Sequence, residues 1–124
     1  MKAQTVKLSL ERRAFDIRAY VVGDLAIHRR AFWVAKGSPL SIGGGWTLSH
    51  VPTGLGIESA LRGRVPTTRA PMLAIAEAWQ AECPEYFDAL RKAGPRPTPA
   101  GVPVDVAMQA REALDRLIQK HLPA

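Results

Sequence analysis

Residues 15–27 read FDIRAYVVGDLAI, and this stretch decides the fold of the N-terminal half. Phe15, Ile17, Ala19 and Val21 alternate with Asp, Arg and Tyr, a period of two that is typical of a half-buried strand. The dipeptide GD at 23–24 separates two apolar segments, and a two-residue loop that begins with glycine favours a type II′ hairpin turn. The stretch therefore predicts two antiparallel strands joined by a tight turn.

Strand patterns continue on both sides of this hairpin. The alternation of Val6, Leu8 and Leu10 with polar residues predicts a preceding strand, and a third strand is predicted from Ile27 to Val34. The glycines at 43–45 predict a mobile loop before a further strand, which spans 46–51 and precedes a Pro-Thr-Gly turn. Residues 55–61 are predicted to return as a short strand.

The C-terminal half has helical spacing. Met72, Ile75, Trp79 and Cys83 recur at intervals of three and four, which predicts a helix capped by Thr67 or Thr68. A second helix is predicted over 85–93, before Gly94.

A proline-rich segment separates the second helix from the last. The prolines from 95 to 103 predict an extended connector, and Asp105 is predicted to cap a last helix. The apolar side of that helix comprises Val106, Ala110, Ala113, Leu114, Leu117, Ile118 and His121.

These patterns predict a single α+β domain over residues 1–124. Residues 1–66 are mainly β, 67–94 helical, 95–104 a Pro-rich connector and 105–122 a C-terminal helix. The predicted fold is an N-terminal antiparallel β-meander of four or five strands, followed by two to three helices that pack on one sheet face.

Composition narrows the class of protein. Cys83 is the only cysteine, so an intramolecular disulfide is excluded and a cysteine-based zinc site would need other ligand types. No motif predicts a metal site or a cofactor, and the apolar runs are shorter than the roughly 20 residues of a membrane helix. We expect no metal, no cofactor and no membrane partner, in a cytoplasmic protein.

Positive charge is concentrated in the N-terminal half. Residues 1–70 contain eleven Lys or Arg against four Asp or Glu, a balance of +7, whereas residues 71–124 contain six against seven, a balance of −1. Clustered positive charge attracts polyanions. This division favours nucleic acid, or a protein with an acidic surface, as the partner, although a basic surface that binds nothing in particular remains the alternative.

The candidate binding residues follow from the same charge pattern. Arginine predominates among them, and it contacts phosphates and carboxylates through two N–H groups and stacks on planar rings. Tryptophan stacks on exposed bases where it faces solvent. The predicted nucleic-acid or partner-binding residues are Arg29, Arg30, Arg62, Arg64, Arg69, Trp46 and His50.

The segment WTLSHVPTG at 46–54, with a helix about fifteen residues later, resembles a pattern in small uncharacterised phage and mobile-element proteins. The resemblance covers about a quarter of the chain and implies no catalytic residue. It implies a small non-enzymatic binding protein that acts on nucleic acid or on a host nucleoprotein or defence complex, for example as an anti-CRISPR-like inhibitor.

Two other functions remain open at this point. His50, near the predicted glycine loop, is a candidate general base of a small enzyme if a carboxylate or a hydroxyl lies within hydrogen-bond distance. The broad apolar side of the last helix makes a homodimer, or a structural assembly subunit that docks through this helix, the other alternative.

Overall fold

The structure is a computed structural model, which describes residues 2–10, 13–33, 35, 37–57, 61, 63–93 and 102–122. An N-terminal sheet of five strands comes first in the chain and three helices follow. The strands are β1 (Gln4–Leu10), β2 (Arg13–Val22), β3 (Leu25–Trp33), β4 (Leu40–His50) and β5 (Leu55–Gly56).

The strands lie in the sheet in chain order, β1-β2-β3-β4-β5, and each neighbouring pair is antiparallel. The predicted antiparallel meander followed by helices is therefore confirmed. The hairpin turn between β2 and β3 is where the sequence predicted it, and Gly23 adopts the positive φ of 59° that the turn requires.

The predicted glycine loop is wrong, because residues 43–45 lie inside β4. Arg29 is paired with Trp46 and Ala31 with Ile42, so three residues of β4 lie opposite the single residue between them on β3. This irregularity is a β-bulge, and glycine accommodates the distorted backbone without side-chain strain. Gly45, with φ of 87°, takes the conformation that other residues rarely adopt.

The helices are α1 (Ala70–Glu82), α2 (Pro84–Ala93) and α3 (Val104–His121). The predicted caps are wrong, because the N-cap residues are Arg69 and Pro103 and neither gives a side-chain capping hydrogen bond. Pro71 lies in the first turn of α1, where its missing N–H leaves no bond unmade. Asp105 lies in the first turn of α3, where its charge favours the positive end of the helix dipole.

The sheet separates two apolar clusters. The larger cluster joins the helices to one face of the sheet and is centred on Leu25, Ile27, Leu48, Met72 and Trp79. The smaller cluster is formed by Val6, Leu8, Ile17, Ala19 and Ala26.

The helices are held to the sheet by specific hydrogen bonds as well as by burial. Trp79 Nε1–H donates to the carbonyl oxygen of Ala110 at 2.9 Å, which joins α1 to α3. Gln80 accepts from the backbone N–H of Asp24 at 2.8 Å and donates to the carbonyl oxygen of Val22 at 2.7 Å. The two bonds of Gln80 fasten α1 to the turn between β2 and β3. None of the described helices is long and apolar enough to cross a membrane.

Candidate nucleic-acid interface

The sheet consists of two ribbons that diverge. Along β2, residues 13–19 pair with β1, whereas only Tyr20, Val21 and Val22 pair with β3. Beyond the Tyr20–Ile27 pair, β2 continues with β1 and β3 continues with β4. A groove therefore opens between the β1–β2 ribbon and the β3–β4 ribbon.

This groove has a volume of about 400 Å³ and takes its walls from both ribbons. We call it the ribbon groove. Its lining residues are Ala3, Asp16, Ile17, Arg18 and Tyr20 from the first ribbon and Arg29, Ile42 and Trp46 from the second. Its lining thus combines apolar and aromatic side chains with two arginines and one carboxylate.

Two guanidinium groups lie over aromatic rings at this site. Arg29 is the cross-strand partner of Trp46, and its Cζ lies 5.0 Å from the centre of the indole ring. Arg69, at the start of α1, has its Cζ 4.3 Å from the centre of the Tyr20 ring. The Tyr20 and Trp46 rings are themselves 6.1 Å apart. The four side chains therefore form one continuous arginine–aromatic cluster.

The arginines at the groove differ from those of the helices in their partners. On the helices, Arg91 contacts Asp24 and Asp88, Arg111 contacts Asp115, and Arg116 contacts Glu82. Within the part of the chain that the structure describes, no carboxylate contacts Arg18, Arg29 or Arg69. The N–H groups of these three guanidiniums are therefore available to an anionic ligand.

The position of Trp46 depends on the glycine bulge and on the segment that precedes α1. The backbone N–H of Trp46 donates to the carbonyl oxygen of Pro66 at 3.0 Å. Because Gly45 has no Cβ, Val65 packs directly against it, and a Cβ placed there would overlap Val65 Cγ1. The bulge thus lets residues 63–66 lie close to β4, and their contact with the strand fixes the position of Trp46 at the groove.

Of the predicted binding residues, the structure brings three together: Arg29, Trp46 and Arg69. Arg30 is exposed but does not line the groove. Arg64 is half-buried in the turn before α1, where its backbone N–H donates to the carbonyl oxygen of Leu61.

The remaining two predicted residues are His50 and Arg62. His50 lies at the other end of β4, beside the β2–β3 turn, and Arg62 lies outside the described residues.

His50 is buried, with 3% of its surface exposed. Its Nδ1 is 2.9 Å from the hydroxyl of Thr53. Its Nε2 lies 3.9 Å from Asp24 Oδ2 and has no hydrogen-bond partner among the described residues. Burial lowers the pKa of His50, an effect that the negative charge of Asp24 partly opposes. The imidazole is thus enclosed between the sheet and Phe87, where burial favours its neutral form.

A second histidine, His28, forms a serine–histidine pair that the sequence did not reveal. The ring of His28 has Nδ1 at 2.6 Å from the carbonyl oxygen of Arg29, so Nδ1 carries the proton. Nε2 therefore accepts from the hydroxyl of Ser49 at 2.8 Å. This arrangement can activate a hydroxyl as a nucleophile. Since each residue is only 4% exposed, no substrate reaches Ser49 Oγ in this conformation.

Sequence reasoning did not place Asp16, Arg18 and Tyr20 at the site. Their spacing of two residues does put them on one side of β2, and that signal is visible in the sequence. The divergence of the two ribbons, which makes that side of β2 a wall of the groove, cannot be seen in the sequence. Nowhere among the described residues do three or more His, Cys, Asp or Glu side chains gather in a group that could hold a metal ion.

Comparison of the chain with protein-family models, with curated proteins and with solved structures gave no match. The resemblance of residues 46–54 to phage and mobile-element proteins therefore stays a prediction, and the case for function depends on the geometry of the groove.

Proposed function

We propose that this protein is a non-enzymatic nucleic-acid-binding protein that holds its ligand in the ribbon groove. The observation that carries the proposal is that no carboxylate among the described residues contacts Arg18 and Arg29 of the groove or the neighbouring Arg69. Two of these guanidiniums, those of Arg29 and Arg69, lie over aromatic rings. The helical arginines, by contrast, are engaged with carboxylates. A ligand with several negative charges is the natural partner of such a surface.

The aromatic rings prepare Arg29 and Arg69 for phosphate binding. A guanidinium that lies over a ring keeps its N–H edge directed outward, and this edge matches two oxygens of a phosphate. Holding the side chain in place before the ligand arrives also reduces the entropy lost on binding. A cation–π contact contributes roughly 0.5–1 kcal/mol at an exposed site, which is enough to favour one orientation.

The charge of the surrounding surface supports the same ligand class. The +7 balance of residues 1–70 belongs to the segment that forms the whole sheet and the start of α1. In the β1–β2 ribbon, Lys7 pairs with Asp16 and Thr5 pairs with Arg18, so Lys7 is a further cation beside the groove. This field would steer a polyanion toward the sheet and away from the helical layer, whose balance is −1.

The test compares two double variants that remove equal charge. Arg29→Ala with Arg69→Ala removes the two cations of the arginine–aromatic cluster, and Lys92→Ala with Lys120→Ala removes two exposed cations from the helices. Affinity for labelled DNA and RNA oligonucleotides is measured between about 50 and 200 mM salt. Each lost contact to a single strand should reduce the slope of log K against log salt by about 0.7, hence about 1.4 for the groove variant.

The helical variant should retain nearly the whole slope of the unmodified protein, because its lysines lie away from the groove. Equal losses in the two variants would show that net charge alone attracts the ligand, and the groove assignment would then be wrong. Circular dichroism of each variant checks that the fold is unchanged.

The second candidate function is binding to a protein with an acidic surface, such as a host nucleoprotein or defence complex. One apolar side chain of the groove favours it, since Ile42 lines the groove and is 53% exposed. Protein interfaces place aromatic and apolar groups at their centre. Absence of nucleic-acid binding at low salt, with capture of an acidic partner that Ile42→Asp abolishes, would favour this function instead.

The predicted homodimer through the last helix has fewer exposed apolar side chains available than the sequence suggests. The buried side of α3, centred on Ala110, Leu114 and Leu117, packs within its own chain. What remains for a second copy is Val104 and Met108, which are 75% and 59% exposed. A homodimer through this pair remains a proposal that sedimentation of the Met108→Lys variant beside the unmodified protein would test.

A further inference from the structure

We propose that the ribbon groove receives one unpaired base of a single-stranded nucleic acid, and that Asp16 selects bases that carry an exocyclic amino group. This inference depends on the proposed function and adds the strand form and the base class. It derives from two features of the groove that phosphate binding does not use, namely its apolar walls and its single carboxylate.

The apolar walls favour a single strand. Ile17, Ile42 and the two aromatic rings line the groove, and Ile42 is half exposed in the free protein. A base in a duplex has both faces covered by its neighbours, so a duplex offers only charged backbone and groove edges. An unpaired base offers a flat apolar face, and stacking of that face on an aromatic side chain stabilises the complex with little dependence on sequence.

The dimensions and position of the groove agree with a ligand of this size. Its volume of about 400 Å³ lies within the range of roughly 300–1,000 Å³ that small-molecule sites occupy. Arg18 and Arg29 come from opposite ribbons, so the strand backbone can contact a guanidinium on either side of the seated base.

Asp16 is unexpected in a phosphate-binding groove, because a carboxylate repels phosphate. It is exposed, and within the described ranges no lysine or arginine forms an ion pair with it. A carboxylate only accepts hydrogen bonds, so it pairs with N–H groups on a base edge. Cytosine N4 presents such a donor, and aspartate and glutamate accept from it in nucleic-acid complexes. Thymine and uracil have a carbonyl oxygen at the equivalent position, which Asp16 would repel.

The experiment measures binding of labelled oligo-dC, oligo-dT and a duplex of equal length by fluorescence anisotropy at one salt concentration. The variant is Asp16→Ala, and the control is Glu112→Ala, which removes one exposed carboxylate from α3. We expect the unmodified protein to prefer oligo-dC over oligo-dT by roughly tenfold, the usual effect of one good base contact, and to bind the duplex more weakly than oligo-dC. Asp16→Ala should abolish the dC preference by tightening dT binding and weakening dC binding, while Glu112→Ala keeps it.

Three results would overturn the inference while leaving the proposed function in place. They are equal affinity of the unmodified protein for dC and dT, an undiminished dC preference in Asp16→Ala, and tighter binding to duplex than to single strands. An equal gain in affinity for both oligonucleotides in Asp16→Ala would assign Asp16 a purely repulsive role and would also overturn it. Absence of binding to all nucleic acids would remove the proposed function itself, and the inference with it.

Discussion

Substitution of Gly45 by alanine should destabilise the protein by about 2–3 kcal/mol, whereas the same change at its neighbour Gly44 should be nearly neutral. Gly45 has φ of 87°, and an alanine forced into the left-handed region is strained by about 1–2 kcal/mol. Its Cβ would also overlap Val65 Cγ1, so residues 63–66 would have to move. That movement weakens the hydrogen bond from Trp46 N–H to Pro66, a loss of about 1 kcal/mol.

The two contributions can be separated by a second substitution. Val65→Ala removes the overlapping methyl groups, so the double variant Gly45→Ala/Val65→Ala should be about 1 kcal/mol more stable than the sum of the single effects predicts. The backbone strain remains, because it does not depend on Val65. Gly44 has no atom within 4 Å of a Cβ and no positive φ, so Gly44→Ala should stay within about 0.5 kcal/mol of the unmodified protein.

Urea denaturation followed by circular dichroism measures all four variants. For a small domain, a loss of this size lowers the midpoint by about 1–2 M urea. The reasoning is refuted if Gly44→Ala and Gly45→Ala are equally destabilising, or if the double variant shows no coupling between the two positions.

Two further predictions concern the turn between β2 and β3. Gln80→Ala removes the hydrogen bonds to Asp24 N–H and to the Val22 carbonyl, so the free energy of unfolding should fall by about 2 kcal/mol. The control is Gln119→Ala on the exposed side of α3, which should change the free energy of unfolding by less than about 0.5 kcal/mol. Equal effects of the two changes would contradict this role of Gln80. Because burial lowers the pKa of His50, the folded state resists protonation, and the unfolded chain gains the proton first as the pH falls below about 6.5. The free energy of unfolding of the unmodified protein should therefore decline from pH 7 toward pH 5, and His50 contributes at most about 1.4 kcal/mol per pH unit to that decline. The His50→Gln variant should show a flatter dependence of the free energy of unfolding on pH. Parallel curves for the two proteins would show that His50 contributes nothing to the decline.

Much of the fold could be predicted from the sequence because local patterns determine it. The alternation around Ile17 and the glycine at 23 predict the hairpin, and both are found where the sequence predicts them. The spacing of Met72, Ile75 and Trp79 predicts α1, and all three residues are buried. The loop predicted at the glycines 43–45 is wrong, because glycine serves equally in a loop and in a bulge, and only the partner strand decides between the two.

The site was harder to predict because it depends on contacts between distant residues. Arg29 and Trp46 face each other only when the register of β3 and β4 is known. Arg69 reaches Tyr20 from the start of a helix almost fifty positions later in the chain. Counting charges predicts Arg29, Arg30 and Arg69 as binding residues alike, but the count does not distinguish Arg29, which lines the groove, from Arg30 and Arg69, which do not.

The short pairing between β2 and β3 has a consequence for how the molecule can accommodate ligands. Three residue pairs, from Tyr20–Ile27 to Val22–Leu25, join β2 to β3, and they lie at the end that α1 fastens. The β1–β2 ribbon is attached again near its other end, where the backbone N–H of Ser9 donates to the carbonyl oxygen of Gly54 at 2.9 Å. The two attachments together fix the separation of the ribbons. A ligand thicker than the ribbon groove would therefore have to break the hydrogen bond between Ser9 and Gly54, so the groove favours flat ligands.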